Sequence, residues 1–308
     1  MNSRELIVIA NPHSGRRASR EIAQQIAALL EPAGFRIRIV ETEAAGHAVD
    51  LARELPLDEC EALGVIGGDG TLHEVLNGLM ARQSKHRVPL ALFPGGTGNT
   101  VMEHLGCSDA ASVVNHLLQR HYLDIDVIKV SMQDHVEYCC NIVGWGAVTD
   151  INRTAECFRW LGKHRYTLAT LWHLVSPPIH RARIRLDGVE NDRELLFLVA
   201  CNTQCTGRGM RIAPNARIDD GKLDVVMAKS STPAKLLSLF RRVFDGSHLG
   251  SDIVECIQVR EFAIWTAQPM GLNLDGELRG STPCQVQVLP RSLTVVAAPT
   301  ENGSLTTS

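Results

Sequence analysis

The sequence predicts an α/β protein in which an N-terminal domain, built on a parallel sheet, is followed by a β-rich second domain. Over about the first 120 residues, short apolar runs alternate with segments of helical periodicity, the order typical of a parallel sheet covered by helices. From residue 124 on, alternating apolar and polar residues are interrupted by Asp-Gly and Gly-Lys turns, which indicates antiparallel strands. We therefore place the domains at residues 1–123 and 124–298, leave open a return of the last strand to the first domain, and expect a flexible tail at 299–308.

In the first domain, four segments have the pattern of strands, either continuously apolar or alternating: residues 6–10, 35–39, 62–66 and 89–93. Apolar residues at helical spacing follow each strand, in segments near residues 22–30, 47–55, 72–79 and 113–118. Pro32 and Gly34 end the first of these helices.

In the second domain, five segments are predicted strands: residues 182–186, 195–199, 223–227, 262–265 and 271–274. One helix stands out there, at residues 166–175, because Leu168, Leu171, Trp172 and Val175 share one of its faces.

Composition excludes several classes of protein. The 308 residues carry a net charge of -3, and 44% of them are hydrophobic, so neither disorder nor nucleic-acid binding is indicated. No apolar run approaches the roughly 20 residues of a membrane span. The nine cysteines include no CxxC pair, which favours buried free thiols and a reducing compartment. We expect a cytoplasmic protein that touches membranes only peripherally, and the oligomeric state stays open.

Two glycine-rich turns carry the first chemical signal. Gly67-Gly68-Asp69-Gly70-Thr71 and Gly95-Gly96-Thr97-Gly98-Asn99 each stand where a predicted parallel strand ends and a helix begins. Ligands bind at that edge of such sheets, and glycine lets backbone N–H groups approach a phosphate. Neither turn matches GxxxxGK[ST] or GxGxxG, which excludes a P-loop and argues against a dinucleotide-binding oxidoreductase. Tight turn geometry alone would also explain the glycines.

Three acidic residues have a functional and a structural interpretation. Asp69 would hold Mg²⁺ or accept a proton from an attacking hydroxyl, or it simply ends a strand. Glu74 stands three residues after Thr71, which fits a capping box at the start of a helix. Asp275-Gly276-Glu277 lies between alternating runs, where Asp-Gly is also a favoured hairpin turn.

Together these residues resemble the ordered motif set of the diacylglycerol kinase and sphingosine kinase catalytic family. The set comprises Asn11-Pro12-His13-Ser14-Gly15, the two glycine-rich turns and Asp275-Gly276-Glu277, and the resemblance covers nearly the whole chain. It implies an α/β nucleotide-binding domain followed by a β-sandwich-like domain, with the active site in the cleft between them. It also implies ATP and Mg²⁺ as cofactors and a lipid at a membrane surface as the partner.

The resemblance assigns roles position by position. Asp69 and Glu277 would be the catalytic carboxylates, and either would serve as the general base. The residues that would contact ATP are Asn11, Pro12, His13, Thr42, Gly67, Gly68, Gly70, Thr71, Glu74, Gly96, Thr97, Gly98, Arg159, Arg165, Asp275 and Gly276. On the residues alone, Arg159 and Arg165 are either solvated helix charges or partners of a phosphate.

The lipid and a structural metal ion are also implied by resemblance. Residues 145–171 look closest to sphingosine and ceramide kinases, but Asn152 stands where sphingosine kinases carry an Asp that engages the substrate head. Either Asp150 substitutes, or the lipid is uncharged, such as diacylglycerol. Leu168 and Trp172 would line the acyl chain. Asp220, with the carbonyl groups of Arg217 and Lys222, would hold a structural Mg²⁺.

The resulting hypothesis is an ATP-dependent lipid kinase that transfers the γ-phosphate to a hydroxyl of diacylglycerol or of a sphingoid base. Two rivals share the fold. One is an NAD kinase, and the other is a non-catalytic nucleotide- or lipid-binding protein.

Overall fold

The computed structural model describes residues 4–14, 18–83, 87–96, 98–157, 168–170, 172–173 and 177–299. They form two compact units. The first holds the described residues up to Val127 and from Pro290 on, and the second is Ile128–Leu289. The chain therefore passes from the first unit to the second within one strand and returns within its last strand.

The first unit is built on a parallel sheet, as predicted. Its strands are β1 (Arg4–Ala10), β2 (Phe35–Glu41), β3 (Cys60–Gly67) and β4 (Leu90–Pro94). They lie in the order β2-β1-β3-β4 with parallel pairing throughout. Val295, near the chain end, pairs with Leu90 in parallel on the far side of β4. The apolar side chains of β1 are buried, as expected for a parallel strand covered on both faces.

Helices connect these strands. They are α1 (Ala18–Leu30), α2 (His47–Glu54), α3 (Asp69–Met80), α4 (Thr100–His104) and α5 (Ala110–Leu118). Ile26 and Leu30 of α1 are fully buried, so the predicted helical periodicity faces the core. Asp109 and Ser112 form a capping box at the start of α5, which satisfies two otherwise unpaired N–H groups.

The second unit is a β-sandwich. Its strands are β5 (Tyr122–Ser131), β6 (Val136–Cys139), β7 (Ile142–Gly146), β8 (His180–Leu186), β9 (Val189–Leu195), β10 (Phe197–Cys201), β11 (Leu223–Ala228), β12 (Val254–Val259), β13 (Glu261–Trp265), β14 (Gly271–Leu274), β15 (Glu277–Ser281) and β16 (Cys284–Val296). β5 and β16 begin or end in the first unit.

Two sets of strands face each other in this unit. One is ordered β12-β11-β10-β7-β14-β15, and the other contains β16-β13-β8-β9 together with β5 and β6. Side chains from both sets share one core, with Trp145, Leu198 and Val225 from the first and Ile184 and Phe262 from the second. This arrangement confirms the predicted β-rich, sandwich-like domain.

The second unit also contains helices that the sequence analysis did not single out. They are α6 (Ala147–Cys157) and α7 (Pro233–Arg242). The predicted helix at 166–175 lies partly outside the described residues, and its described residues 168–170 and 172–173 are helical. Within the described ranges, no helix is both long and apolar enough to cross a membrane.

All nine cysteines are free. Six of them are buried, in agreement with the predicted role as core thiols: Cys60, Cys107, Cys139, Cys140, Cys201 and Cys284. Burial raises the pKa of the Cys107 thiol to about 12, so this group is protonated and unreactive at neutral pH.

Candidate active site

Turns of the first unit gather at one edge of its parallel sheet. Asn11 follows β1, Gly68 follows β3, and Gly95 follows β4. Because parallel neighbours end at the same edge, these turns lie side by side. This is the arrangement that the sequence predicted for the two glycine-rich segments.

The turns after β3 and β4 touch through their backbones. Gly95 N donates a hydrogen bond to Gly67 O at 2.8 Å, and Asp69 N donates to Gly98 O at 3.0 Å. A Cβ atom on Gly96 would lie 2.5 Å from Gly68 Cα, and one on Gly68 would lie 2.8 Å from Gly98 O. Only glycine fits at both positions, so the two turns present main-chain atoms and no side chains at Gly68 and Gly96. We call this edge, formed by the turns after β3 and β4, the glycine rim.

The Asp69 carboxylate is held against the neighbouring turn. Asp69 is the first residue of α3, and its Oδ2 accepts a hydrogen bond from Thr100 N at 3.2 Å, at the start of α4. A Cβ atom on Gly98 would lie 3.2 Å from the same oxygen. The carboxylate therefore has a fixed place at the edge where the strands end, beside the glycine backbone.

Asn11 braces the rim from the strand on the other side. Its Nδ2 donates to Thr71 Oγ1 at 3.1 Å, and its Oδ1 accepts from His13 N at 3.0 Å. Pro12 lies within this turn. Thr42, which is buried, donates its backbone N–H to Ala10 O at 2.9 Å. The structure thus brings these predicted residues to the same edge of the sheet as Asp69.

The capping-box interpretation of Thr71 and Glu74 is wrong. The helix begins at Asp69, with Gly68 as its N-cap and no side-chain cap, and Gly70 is its second residue. Thr71 Oγ1 instead accepts from Asn11, while Glu74 Oε1 accepts from Gly46 N at 3.0 Å. Because Gly46 is the N-cap of α2, Glu74 ties the segment after β2 to α3. The S/T-x-x-E spacing therefore does not produce a capping box in this helix.

Some predicted residues lie outside the described residues, namely Thr97, Arg159 and Arg165. Two predicted lipid contacts are described, and both have exposed side chains: Leu168 is 44% and Trp172 is 73% exposed. His173, next to Trp172, contacts Thr154 of α6 at 2.9 Å between ring Nε2 and Oγ1. Their role as acyl-chain contacts stays a prediction.

In the second unit, Asp275 and Gly276 form the tip of a β-hairpin. Leu274 pairs with Glu277 across the tip, and φ is 52° at Asp275 and 98° at Gly276. Two positive φ values are the signature of a type I′ turn. The hairpin interpretation is therefore confirmed, and it coexists with a functional one because Glu277, at the start of β15, is exposed.

The Asp275 carboxylate fixes this hairpin to residues 140–142, where β7 begins. Its oxygens accept three backbone N–H groups, from Cys140 at 3.1 Å, Asn141 at 2.9 Å and Ile142 at 3.0 Å. Hydrogen bonds to an ionised acceptor are roughly twice as strong as neutral ones. Asp275 thereby determines where Gly276 and Glu277 stand.

Asn152 also holds the hairpin tip. Its Nδ2 donates to Gly276 O at 3.3 Å, and Asn273 Oδ1 accepts from Gly276 N at 2.8 Å. The sequence analysis placed Asn152 at the lipid head. In the structure its amide bridges α6 to the turn that carries Glu277.

We expect Asp275→Asn to destabilise the second unit by about 3 kcal/mol. The amide oxygen can take the place of Oδ1 and accept from Asn141 and Ile142, but the amide NH2 group would then face the N–H of Cys140, which loses its acceptor. Urea unfolding followed by tryptophan fluorescence measures this loss. Asp192→Asn, at an exposed carboxylate on β9, serves as the control and should stay within about 0.5 kcal/mol. Equal effects of the two variants would contradict the anchoring role.

Asp150 is paired with a residue that the sequence did not indicate. Its Oδ2 lies 3.1 Å from Nε2 of His180, thirty residues later on β8. The contact with His180 lowers the pKa of the Asp150 carboxyl against the opposing effect of burial, and the charges of His173 and Arg153 lower it further. Asp150 is therefore an ionised group surrounded by basic side chains.

The predicted metal loop precedes β11. Asp220 Oδ1 accepts from Lys222 N at 3.0 Å, and the Arg217 guanidinium contacts Asp219 at 3.4 Å. The pKa of the nearby Asp224 carboxyl is raised, first by burial and also by the charge of Asp220. A hard cation would relieve this repulsion, and oxygen ligands suit Mg²⁺. The residues present fit such an ion, and its binding by Asp220 and the carbonyl groups of Arg217 and Lys222 stays a prediction.

Comparison with protein families gives two matches that together span most of the chain. Residues 5–130 match the diacylglycerol kinase catalytic domain. Residues 141–297 match the YegS C-terminal NAD kinase beta sandwich-like domain.

Curated relatives carry two kinds of name. A diacylglycerol kinase of Bacillus subtilis (strain 168) is 28% identical, over 94% of this chain and 95% of the relative. Sphingosine kinase 1 of Arabidopsis thaliana is 24% identical, over 85% of this chain. The aligned region spans 64% of the length of that plant enzyme.

Solved structures agree on the fold. The crystal structure of a candidate diacylglycerol kinase from Bacillus anthracis str. Sterne superposes with a TM-score of 0.79 at 26% identity, covering 96% of this chain and 98% of the other. An NAD kinase from Archaeoglobus fulgidus, solved in complex with ATP, gives a TM-score of 0.51 at 12% identity, over 95% of this chain and 93% of the other. At that identity the second likeness concerns the fold alone.

Proposed function

Because the chain belongs to the diacylglycerol kinase and sphingosine kinase family of lipid kinases, we propose that it transfers the γ-phosphate of ATP to the hydroxyl of an uncharged lipid, diacylglycerol. The main structural support for phosphate binding is the backbone contact between the turns after β3 and β4. Gly68 and Gly96 approach too closely for any side chain. Such a rim of N–H groups beside helix N-termini binds phosphate oxygens.

In the proposed reaction, the lipid hydroxyl oxygen forms a bond to the γ-phosphorus as the bond to the bridging β–γ oxygen breaks. ADP leaves, and the hydroxyl proton passes to a carboxylate. Asp69 is held in place by Thr100 N, and Glu277 is carried by the anchored hairpin. Either group is chemically suited to take the proton, and both stay proposals for the base.

Mg²⁺ bound to the ATP phosphates would neutralise part of their charge. Asp69 is the carboxylate of the first unit that stands at the glycine rim, and it is suited to hold this ion as well as to take a proton. The remaining proposed ATP contacts, including Asn11 and Thr42, would orient the nucleotide at the same edge of the sheet.

The surroundings of Asp150 favour an uncharged lipid. If the lipid head lies by α6, as the family resemblance implies, an ammonium group would approach a carboxylate that already contacts His180 and lies near the Arg153 guanidinium. Like charges disfavour that approach. Asn152, which by the family resemblance stands where sphingosine kinases carry an Asp, donates to Gly276 O. The Bacillus subtilis relative named diacylglycerol kinase also aligns with 94% of this chain and over 95% of its own length.

An acceptor panel tests the proposal. The purified chain would receive γ-³²P-labelled ATP and Mg²⁺ with diacylglycerol, sphingosine or ceramide in mixed micelles, and with NAD⁺ in detergent-free buffer. We expect label in diacylglycerol. Label in NAD⁺ instead would favour the NAD kinase alternative, and ATP binding without label in any acceptor would favour a non-catalytic role.

The His180→Gln variant should shift acceptor preference. Glutamine keeps a polar contact with Asp150 but cannot carry the positive charge that an imidazole acquires on protonation, so sphingosine phosphorylation relative to diacylglycerol should rise, by up to about tenfold. The ratio of kcat/KM for the two lipids measures the change. His135→Gln is the matched control, since His135 also contacts an aspartate, Asp134, at 2.7 Å on the surface. A ratio that stays the same in both variants would contradict the charge argument.

A further inference from the structure

Helix α7 of the second unit has two apolar sides. Leu236 and Leu239 are buried in a core cluster with Ala147, Leu196 and Ala228. Val243, directly after the helix, is buried in a neighbouring cluster. Their spacing of three and four residues marks the side of the helix that packs on the sandwich.

A second apolar line runs along the flank of the helix. Pro233, Leu237, Phe240 and Phe244 follow one another at spacings of four, three and four, which places them in one row. None of the four is buried, and Phe244 is 47% exposed. The rings of Phe240 and Phe244 meet edge to face, with centroids 5.6 Å apart. We call this row the outer stripe. Packing on the sandwich core does not explain the outer stripe, because Leu236, Leu239 and Val243 already supply the buried side of the helix.

The outer stripe lies in a basic segment of a chain with net negative charge. Residues 229–244 include Lys229, Lys235, Arg241 and Arg242 and no acidic residue, whereas the whole chain has a net charge of -3. Arg211 is exposed, and its backbone N donates to Val243 O at 2.9 Å, so a further basic residue joins the main chain next to Phe244.

These basic side chains differ in whether they have a partner in the structure. Lys235 pairs with Asp252 at 2.6 Å, and Arg242 donates to Ser247 Oγ at 3.2 Å. Arg241 is exposed and makes no ion pair with any described residue. The first acidic residue after the stripe, Asp245, accepts from Ser247 N at 2.8 Å and is turned toward its own loop. Arg241 and Arg211 therefore give the stripe a positive rim.

We propose that the outer stripe and its basic rim bind the surface of an anionic phospholipid bilayer. A helix that presents aromatic side chains beside Lys and Arg is suited to lie in the interface, with rings among the acyl chains and cations at the headgroups. Acidic lipids would complement the rim. A second copy of this chain fits less well, because a two-fold contact would bring the same cations together.

This inference rests on the proposed function in one respect: a lipid kinase must reach lipids in a bilayer, which gives membrane binding a biological role. Binding itself needs neither ATP nor substrate. Vesicle binding and lipid phosphorylation can therefore be measured independently, and either one can be absent without the other.

The test is co-sedimentation of the full chain with vesicles that contain no diacylglycerol, in the absence of ATP. One set of vesicles is pure phosphatidylcholine, and the other contains about 30% of the anionic lipid phosphatidylglycerol. We expect binding to the anionic vesicles that weakens as salt rises. Phe244→Asp should lower the partition coefficient by about tenfold or more, and Arg241→Gln by about fivefold at low salt.

Val189→Asp is the matched control, because Val189 is 65% exposed on β9 and belongs to no basic segment. It should partition like the unsubstituted chain. Thermal unfolding of all variants checks that the fold is kept. The proposal is overturned if the chain ignores anionic vesicles, if Phe244→Asp and Val189→Asp behave alike, or if Phe244→Asp changes only the oligomeric state in gel filtration.

Activity separates this surface from the catalytic proposal. Phe244→Asp should phosphorylate short-chain dioctanoylglycerol in solution at the unsubstituted rate and lose activity on long-chain lipid in anionic vesicles. A chain that binds vesicles through Phe244 but phosphorylates no lipid would support the surface and overturn the proposed function.

Discussion

Asp69→Asn should lower lipid phosphorylation by about a thousandfold or more, the range that loss of a positioned proton acceptor or charged metal ligand produces. The amide oxygen can still accept from Thr100 N at the position of Oδ2, so the turn and the fold should persist. Steady-state kinetics with labelled ATP measure the loss, and circular dichroism with thermal unfolding verifies the fold.

Asp134→Asn is the control for this variant, since Asp134 is an exposed carboxylate whose ion-pair partner is the adjacent His135 and which has no predicted role in the site. It should keep full turnover. An active Asp69→Asn enzyme would remove Asp69 from the chemistry and leave Glu277 as the base. The Glu277→Gln variant, measured in the same assay, would then decide whether that carboxylate carries the reaction.

Gly96→Ala should have the second-largest effect, on both ATP binding and stability. The added Cβ would lie 2.5 Å from Gly68 Cα and 2.9 Å from Gly68 N, and neither backbone atom has room to yield. We expect a stability loss of about 2 kcal/mol. The KM for ATP should rise strongly, because the two turns can no longer present one continuous row of N–H groups.

Gly207→Ala is the matched glycine control, because a Cβ there meets nothing within 4 Å. It should leave stability within about 0.5 kcal/mol. Urea unfolding and ATP titration compare the two variants. A Gly96→Ala chain with unchanged KM for ATP would show that the rim does not bind phosphates, whatever its effect on stability.

The sequence predicted those features that depend on local pattern. The apolar run of β3 followed by Gly67 and Gly68 predicted a strand that opens into a tight turn, and the Asp-Gly pair at 275–276 predicted a hairpin tip. Both depend on the periodicity and φ preferences of neighbouring residues. The parallel order of the first strands then placed the turns at one edge.

Contacts between distant segments could not be predicted in this way. His180 reaches Asp150 only because β8 lies beside α6, and the three N–H groups around Asp275 come from a segment more than a hundred residues earlier. No local spacing encodes either contact. Glu74 shows the opposite error, because a local capping signature was present while the side chain accepts a hydrogen bond from Gly46, the N-cap residue of α2.

Helix α7 was also absent from the sequence-based expectations, although its periodicity is visible. Leu236, Leu239 and Val243 recur at helical spacing, and Pro233 stands at the first helical position, so these local signals could have located the helix.

The most direct test of the central claim is ³¹P NMR of the purified chain with ATP, Mg²⁺ and dioctanoylglycerol. A lipid kinase should produce ADP and a new lipid phosphomonoester resonance in equal amounts, and neither should appear with Asp69→Asn. ADP without a phosphomonoester, or no consumption of ATP while the acceptor and the folded chain are both present, would contradict the account.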